Sequence, residues 1–368
     1  MNIIRFLTSG ESHGKCLNGI IEGIPFGYEL DFDFINSKLA QRQGGVGRGG
    51  RMKIEKDVIK FNSGVRFAKT TGSPICFEIT NKDWQNWLIP MSVERVDLTN
   101  NEILAKLEEK KISKFRPAHA DFAGCVKYDF DDVRYVLERS SARETASRVA
   151  LGAIAQNILK NYKIEFENEV LQIGECKNKD DFEKYITEKC ADGDSLGGII
   201  KIIIKNVPIG LGSFVHWDKR LDGKLAQALM SIPAVKSVEI GLGKEYGTVL
   251  GSKSHDEIEF KEKYSHKTNN SGGIEGGMSN GEDIVLTIAM KPIPTMKKAL
   301  NSVEIKTHNK VQAHFERADS CAVEACGVVA ECMSAIVLLD CFFEKFGADS
   351  KRDIDLSFEN YLKRINEI

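Results

Sequence analysis

The chain has 368 residues, and its 51 Lys and Arg stand against 53 Asp and Glu, a net charge of −2. With 42% hydrophobic and 28% charged residues it has the balance of a globular chain, which excludes disorder, a fibre, and a bulk polyanion such as nucleic acid as partner. At roughly 100–200 residues per domain the length admits two or three domains or one large one. The amino terminus MNIIRFLTSGES has no apolar run of signal-peptide length. The longest apolar stretch, residues 327–343, is interrupted by Glu331 and Asp340, so a cytoplasmic protein without a membrane anchor is expected. Nine cysteines without a C-x-x-C pair are expected as reduced thiols, neither disulfides nor metal ligands.

In chain order, residues 2–8 and 18–22 have strand patterning around a glycine turn at 10–14. A helix is expected over 33–43, ended by Gly44, Gly45, Gly47, Gly49 and Gly50, a loop that propensity alone leaves flexible; a strand follows over 51–61. Another strand is expected up to Thr80. Residues 81–111 then form a polar, Trp-containing surface insertion ending in a short helix, where no function is expected. Ser141-Ala142-Arg143-Glu144 fits a capping box at the start of a helix whose apolar stripe runs from Ala146 to Ile158. A strand over 199–207, a helix over 221–231, a glycine-rich stretch over 271–281, a strand over 283–290 and a long apolar helix over 322–346 complete the pattern. Strands and helices are mixed, without repeats and without a linker that would divide the chain.

The chemistry concentrates in a few segments. Arg42, Arg48, Arg51 and Lys53 converge on the glycine loop with no acid between Gln41 and Ile54. Guanidinium forks bind phosphate or carboxylate, and glycines let backbone amides approach, so the loop is an anion site or else a solvated basic turn. Arg139, Ser140 and Ser141 stand at a helix start, where partial positive charge favours an anion, although Ser141 as a plain cap fits equally. His13 and His119 lie in loops beside charged residues and suit general acid work; each alone suits a structural role as well. Asp319 precedes the last long helix as its cap or as a base, and residues 291–295 (KPIPT) present a cation and a hydroxyl on a rigid turn.

Two short patterns mislead. Residues 10–14 satisfy G-x-S-x-G, with Asp319 and His308 or His314 as notional partners of Ser12, but this segment joins two strands instead of a strand and a helix. Residues 45–50 satisfy G-x-G-x-x-G with the helix before and the strand after, the reverse of a dinucleotide site.

Taken together, GESHG, the 42–51 loop, FRPAHAD, RSSARETASRVA, DGDSLGG, GGIEGGMSNGED, KPIPT and RADSCAV resemble the chorismate synthase family, monofunctional and bacterial in type, in the same order and over nearly the whole chain. The resemblance implies an α+β fold, a single-domain β-α-β sandwich over residues 1–368 assembled as a homotetramer. It implies a lyase that converts 5-enolpyruvylshikimate 3-phosphate to chorismate by anti-1,4-elimination of phosphate. Reduced FMN is then required without net redox change, with an external flavin reductase as its source and NADP associated with the system. By the same resemblance Ser12, Arg42, Arg48 and Arg51 take the substrate's anionic groups. Arg139, Ser140, Ser141, Ala234, Gly276, Lys291, Pro292, Ile293, Pro294, Thr295 and Arg317 lie against the flavin. His119 protonates the reduced flavin, His13 assists the departing phosphate, and Asp319 takes part in deprotonation through the flavin N5. The chain departs from the family pattern at Ala118, usually glycine, at Tyr135 to Glu138, usually glycines, and at Pro233, often asparagine. The readings that remain beside a lyase are a flavin-dependent oxidoreductase and a non-catalytic phosphate-binding module.

Overall fold

A computed structural model of the chain describes residues 3–49, 56–316 and 318–367; Arg51, Lys53 and Arg317 lie outside them. Two four-stranded antiparallel sheets frame the molecule. The first is built from β1 (Arg5–Ser9), β2 (Cys16–Glu22), β3 (Ile59–Ser63) and β4 (Ile75–Thr80) in the order β1-β2-β4-β3. The second is built from β5 (Glu165–Ile173), β6 (Gly198–Lys205), β7 (Val235–Ile240) and β8 (Ile284–Met290) in the order β5-β6-β8-β7. Period-two patterning decides which face packs. Ile75, Phe77 and Ile79 on β4, Ile200, Ile202 and Ile204 on β6, and Ile284, Leu286 and Ile288 on β8 are all fully buried.

Between the sheets lies a helical layer. It comprises α1 (Phe32–Gln43), α5 (Thr145–Leu159), α7 (Leu221–Met230) and α8 (Val323–Phe346). Helix α5 packs on β2 and α8, while α8 packs on β5 and β6, so the order sheet, helices, sheet is the β-α-β sandwich expected. Short helices α2 (Asn101–Lys110), α3 (Asp121–Tyr128), α4 (Arg134–Ser140) and α6 (Phe182–Lys189) lie outside this layer, and α9 (Lys351–Ile365) closes the chain.

The central position of α5 and α8 explains their composition. Both are buried nearly all round, so the one-sided stripe expected for α5 is absent. They approach closely at Gly152, where a Cβ would stand 2.3 Å from the Cys332 carbonyl oxygen. Helix α8 is long and apolar enough to cross a membrane, yet almost all of it is inside the protein. Its two buried acids are satisfied there: Glu331 accepts from Lys38 Nζ at 2.6 Å and Asn168 Nδ2 at 2.5 Å, and Asp340 accepts the Ile4 amide at 2.9 Å.

The capping box forms only in part. Ser141 Oγ accepts the Arg143 amide at 3.3 Å, but residues 142–144 make a 3₁₀ turn before α5 starts. Glu144 turns to Thr8 Oγ1 at 2.8 Å and Arg148 Nε at 2.9 Å instead of reaching back, because β1 and the next helical turn offer it better donors. The strand expected over 51–61 is described from Ile59, and residues 51–55 lie outside the described set.

Candidate active site

A cavity of about 1190 Å³ opens at one end of the helical layer. Its wall carries Ser12 and His13 from the β1–β2 loop, Arg42 from α1, Arg48 from the glycine loop, and Arg116 and His119 ahead of α3. Ser140, Ser141 and Arg143 between α4 and α5, residues 232–234 before β7, Lys291, Ile293, Pro294 and Thr295 after β8, and Asp319 before α8 complete it. His13, His119 and Asp319 therefore share one hollow although they are up to 306 positions apart (319 − 13) in the chain. Among the described residues the lining holds nine Lys and Arg against four Asp and Glu, while the chain as a whole is slightly acidic. Such a cavity concentrates anions.

The cations are held by the protein itself. Arg42 is almost fully buried: Nε donates to Thr145 Oγ1 and Nη2 to the Ala142 carbonyl, both at 2.8 Å, and Asp57 stands 3.6 Å from Nη1. Burial pushes the Arg42 guanidinium down to about 10, with Asp57 opposing the shift. Arg143 donates Nε to Asn81 Oδ1 at 2.9 Å and Nη1 to both oxygens of Asp57 at 2.7 and 2.6 Å. Thus Asp57, itself buried, supports two arginines at once. Among the described residues Arg42 Nη1 and Arg143 Nη2 are buried without a hydrogen-bond acceptor, and each such donor costs on the order of 1–3 kcal/mol or more until it finds one. Arg116 forms a forked pair with Asp121, Nε to Oδ2 and Nη2 to Oδ1, both at 2.8 Å.

The glycine loop is docked, not loose. Gly47, at φ +81°, accepts the Ser320 amide at 2.8 Å, and any Cβ on it would meet Cys321 at 2.9 Å. Arg48 Nη1 lies 2.7 Å from Asp319, whose other oxygen accepts the Gly49 amide at 2.6 Å. Asp319 is consequently not the cap of α8, a position held by Ala322 without a side-chain bond.

The histidines have contrasting surroundings. His119 shares its Nδ1 with Asp121 Oδ1 at 2.5 Å and Arg116 Nη2 at 3.0 Å. Burial tends to raise the Asp121 carboxyl, but the hydrogen bonds from Arg116 and His119 outweigh it and hold the group well below the ordinary carboxylate range. His13 has its Nδ1 2.8 Å from Glu138 Oε1, and its ring stacks on Trp87 with centroids 4.0 Å apart.

Several expectations change here. Segment 81–111, expected to carry no function, supplies the wall from Asp83 to Pro90 and from Lys106 to Lys111, and Asn81 ties Arg143 to the Glu11 and Gly14 carbonyls. Arg139 turns away: Nη2 donates to the Thr8 carbonyl at 2.9 Å and Thr8 Oγ1 at 2.7 Å, which places it outside the lining. Gly276, in a β-turn between two short strands, and Pro292 are outside it too. Ser12, Ser140, Ser141, Ala234, Lys291, Ile293, Pro294 and Thr295 are within it. Ser12 sits between antiparallel strands, not at a strand-to-helix elbow, and accepts from Ser141 Oγ at 3.2 Å. Arg116, Arg143, Trp87 and Glu138 are cavity-side or supporting residues to which sequence reading gave no site role of their own, although Glu138 stood out as a departure from the family pattern. The signal available for the two arginines was their place inside FRPAHAD and RSSARET.

Comparison with known proteins agrees with this architecture. The family model described as chorismate synthase matches residues 4–343. Chorismate synthases of Thermoanaerobacter pseudethanolicus and Alkaliphilus metalliredigens are 47% and 48% identical, each alignment covering 98% of this chain and 98% and 99% of the relative. A crystal structure of a chorismate synthase superposes with TM-score 0.77 at 36% identity, covering 99% of both chains. The sandwich fold, the cationic hollow and these matches agree: the chain belongs to the chorismate synthase family.

Proposed function

We propose that this chain is a lyase that converts 5-enolpyruvylshikimate 3-phosphate to chorismate and phosphate by anti-1,4-elimination, the last step of the shikimate pathway, and that it does so with reduced FMN in the same cavity. The observation that carries the reading is the pair of orphaned guanidinium donors, Arg42 Nη1 and Arg143 Nη2, buried on the wall of a hollow that also holds two histidines and a carboxylate. A substrate with one phosphate and two carboxylates offers the acceptors these donors lack. Arg48 and Ser12 belong to the same substrate set; Arg51 belongs to it by family likeness.

The donor set also fits a flavin. Ile232, Pro233, Ala234, Met290, Ile293 and Pro294 give an apolar wall for a flat ring, and the Lys291 amide ties its two halves by donating to the Ala234 carbonyl at 2.9 Å. Ser140, Ser141, Lys291 and Thr295 would hold its polar groups, with Arg317 by family likeness. When bound, reduced FMN supplies electron density that lets phosphate depart and takes it back as the C–H bond breaks, so nothing is oxidised overall.

The chain's own residues bind and handle protons around that chemistry. Arg42, Arg48 and Arg143 neutralise the departing phosphate and the carboxylates. His119, held by Asp121 and Arg116, is the proposed proton donor to the flavin, a role its position on the cavity wall supports. Asp319, held by Arg48 and the Gly49 amide, is the proposed base. His13 is the proposed acid for the leaving phosphate oxygen. An external flavin reductase, a homotetramer, a cytoplasmic setting and the one-domain organisation belong to the same proposal and rest on the family likeness. Phosphate release from 5-enolpyruvylshikimate 3-phosphate, measured anaerobically with and without reduced FMN, tests the reading: release is expected only with the flavin, and no release in its presence overturns it.

A further inference from the structure

Glu138 is a buried carboxylate whose polar atoms meet Ser12, His13 and Arg134. Its Oε2 accepts the His13 amide at 2.8 Å, its Oε1 stands 2.8 Å from His13 Nδ1, and its own carbonyl accepts the Ser12 amide at 2.9 Å. One residue of α4 thus grips both the backbone and the ring of His13, across 125 positions (138 − 13) of chain. The ring's face is fixed by Trp87, stacked at 4.0 Å and 27°, and that indole is in turn covered by the cations of Arg134 and Lys110, 5.0 and 5.1 Å from its centroid. Arg134 also lies 3.4 Å from Glu138 Oε1 and 2.7 Å from Glu316 Oε1, and Glu316 reaches His314 at 3.4 Å. Among the described residues the charged groups around His13 include Glu138 and Arg134 from α4, Lys110 from segment 81–111, and Glu316.

We propose that Glu138 is a positioning residue for His13, keeping a hydrogen on Nδ1 so that Nε2 is the nitrogen that gives up a proton to the phosphate oxygen. This rests on the function proposed above. In that step the carbon–oxygen bond breaks with its electron pair going to the phosphate. The C–H bond lost in the 1,4-elimination leaves its pair to the new double bonds and its proton to a base. The Nε2 proton passes to the phosphate oxygen, and His13, a cation before the step, is left neutral with its hydrogen still on Nδ1 and donated to Glu138. A carboxylate behind an imidazole fixes tautomer and orientation together, which a purely structural anchor of the loop need not do.

The test is a cycle of Glu138→Ala, His13→Ala and the double variant, assayed for chorismate with 5-enolpyruvylshikimate 3-phosphate and reduced FMN. It is joined to ¹⁵N NMR of the wild-type and Glu138→Gln proteins labelled at histidine, His13 being assigned by its loss in His13→Ala. His13→Ala is expected to lower kcat by about 10²–10⁴-fold. Glu138→Ala should lower kcat at least tenfold, with KM moved by less than about threefold, and the double variant should be no worse than His13→Ala. The neutral His13 ring should be the Nδ1–H tautomer in the wild type and lose that preference in Glu138→Gln. Multiplying effects in the double variant, or an Nε2–H tautomer in the wild type, overturns the proposal. A wild type that forms no chorismate overturns the proposed function instead, and the tautomer then still decides the role of Glu138.

Discussion

At the residue scale the site is a set of buried charges, each held by a partner that is not a ligand. Asp57 braces Arg42 and Arg143 together, so Arg143→Ala removes a substrate donor and also strips a buried carboxylate of its main partner. That variant is expected to raise KM at least tenfold and to lose about 3–5 kcal/mol of stability, read by titration calorimetry with substrate and by urea unfolding. A loss of affinity with unchanged stability would contradict the bracing role. On the proton-handling role proposed for it, His119→Ala is expected to leave FMN binding nearly intact and to lower kcat by about 10²–10⁴-fold. Stopped-flow turnover with a parallel flavin-binding titration checks it. Ala118 is a further informative position: it adopts φ +61°, where an L side chain costs about 1–2 kcal/mol, and its carbonyl receives Lys291 Nζ. Ala118→Gly relieves that strain while enlarging unfolded-chain entropy, so the variant is expected within about 1 kcal/mol of the wild type with turnover unchanged. A large loss by thermal unfolding would show that the methyl itself packs.

At the scale of elements, the layer of helices fixes where the loops end. Helix α8 delivers Asp319 at one end and buries Glu331 against Lys38 of α1 near its middle. Lys38→Met should destabilise the fold by about 3–5 kcal/mol, measured by denaturant unfolding, because Glu331 then loses its cation while remaining 2% exposed. The elements were legible in the sequence because β6 and β8 are short apolar runs rich in isoleucine and valine and α8 is a long, mostly apolar one, whereas their stacking as a sandwich was expected from the family resemblance alone. The docking of residues 45–49 was not legible, since their three glycines carry no record of the Ser320 amide and the Asp319 carboxylate that pin them. Segment 81–111 was misjudged for a similar reason. Its contribution is an indole stacked on a histidine 74 positions earlier (87 − 13), and a lone Trp in polar sequence announces no such partner. Glu138 was visible only as an exception to a family pattern, and its meaning needed the distance to His13.

For the molecule as a whole, charge separation is the governing feature: among the described residues a chain of net −2 gathers nine cations against four acids around one hollow. Capture of a polyanionic substrate should therefore weaken as salt rises, with KM increasing several-fold between low and physiological ionic strength while kcat changes little. A flat KM would mean that binding is governed by contacts other than the cationic field. Acid stability follows from the same site. Asp121 is held well below the ordinary range, burial being outweighed by Arg116 and His119, and Glu316 is drawn down to about 2 as His314, Arg134 and His13 outweigh its burial. Groups depressed in the folded state contribute stability above their unfolded value, roughly 4, and lose it as pH falls through the folded one. Urea unfolding should thus show stability declining from about pH 4 towards pH 2, and Glu316→Gln should make that decline shallower. An unchanged slope would remove Glu316 from the account.

The central claim is that one cationic hollow eliminates phosphate from its substrate while a reduced flavin is needed but not used up. Anaerobic turnover followed simultaneously for chorismate, phosphate and flavin absorbance tests it most directly. One chorismate and one phosphate per substrate consumed, with the reduced flavin unchanged at the end, is the predicted result. Oxidation of one flavin per turnover would make the chain an oxidoreductase and contradict the account.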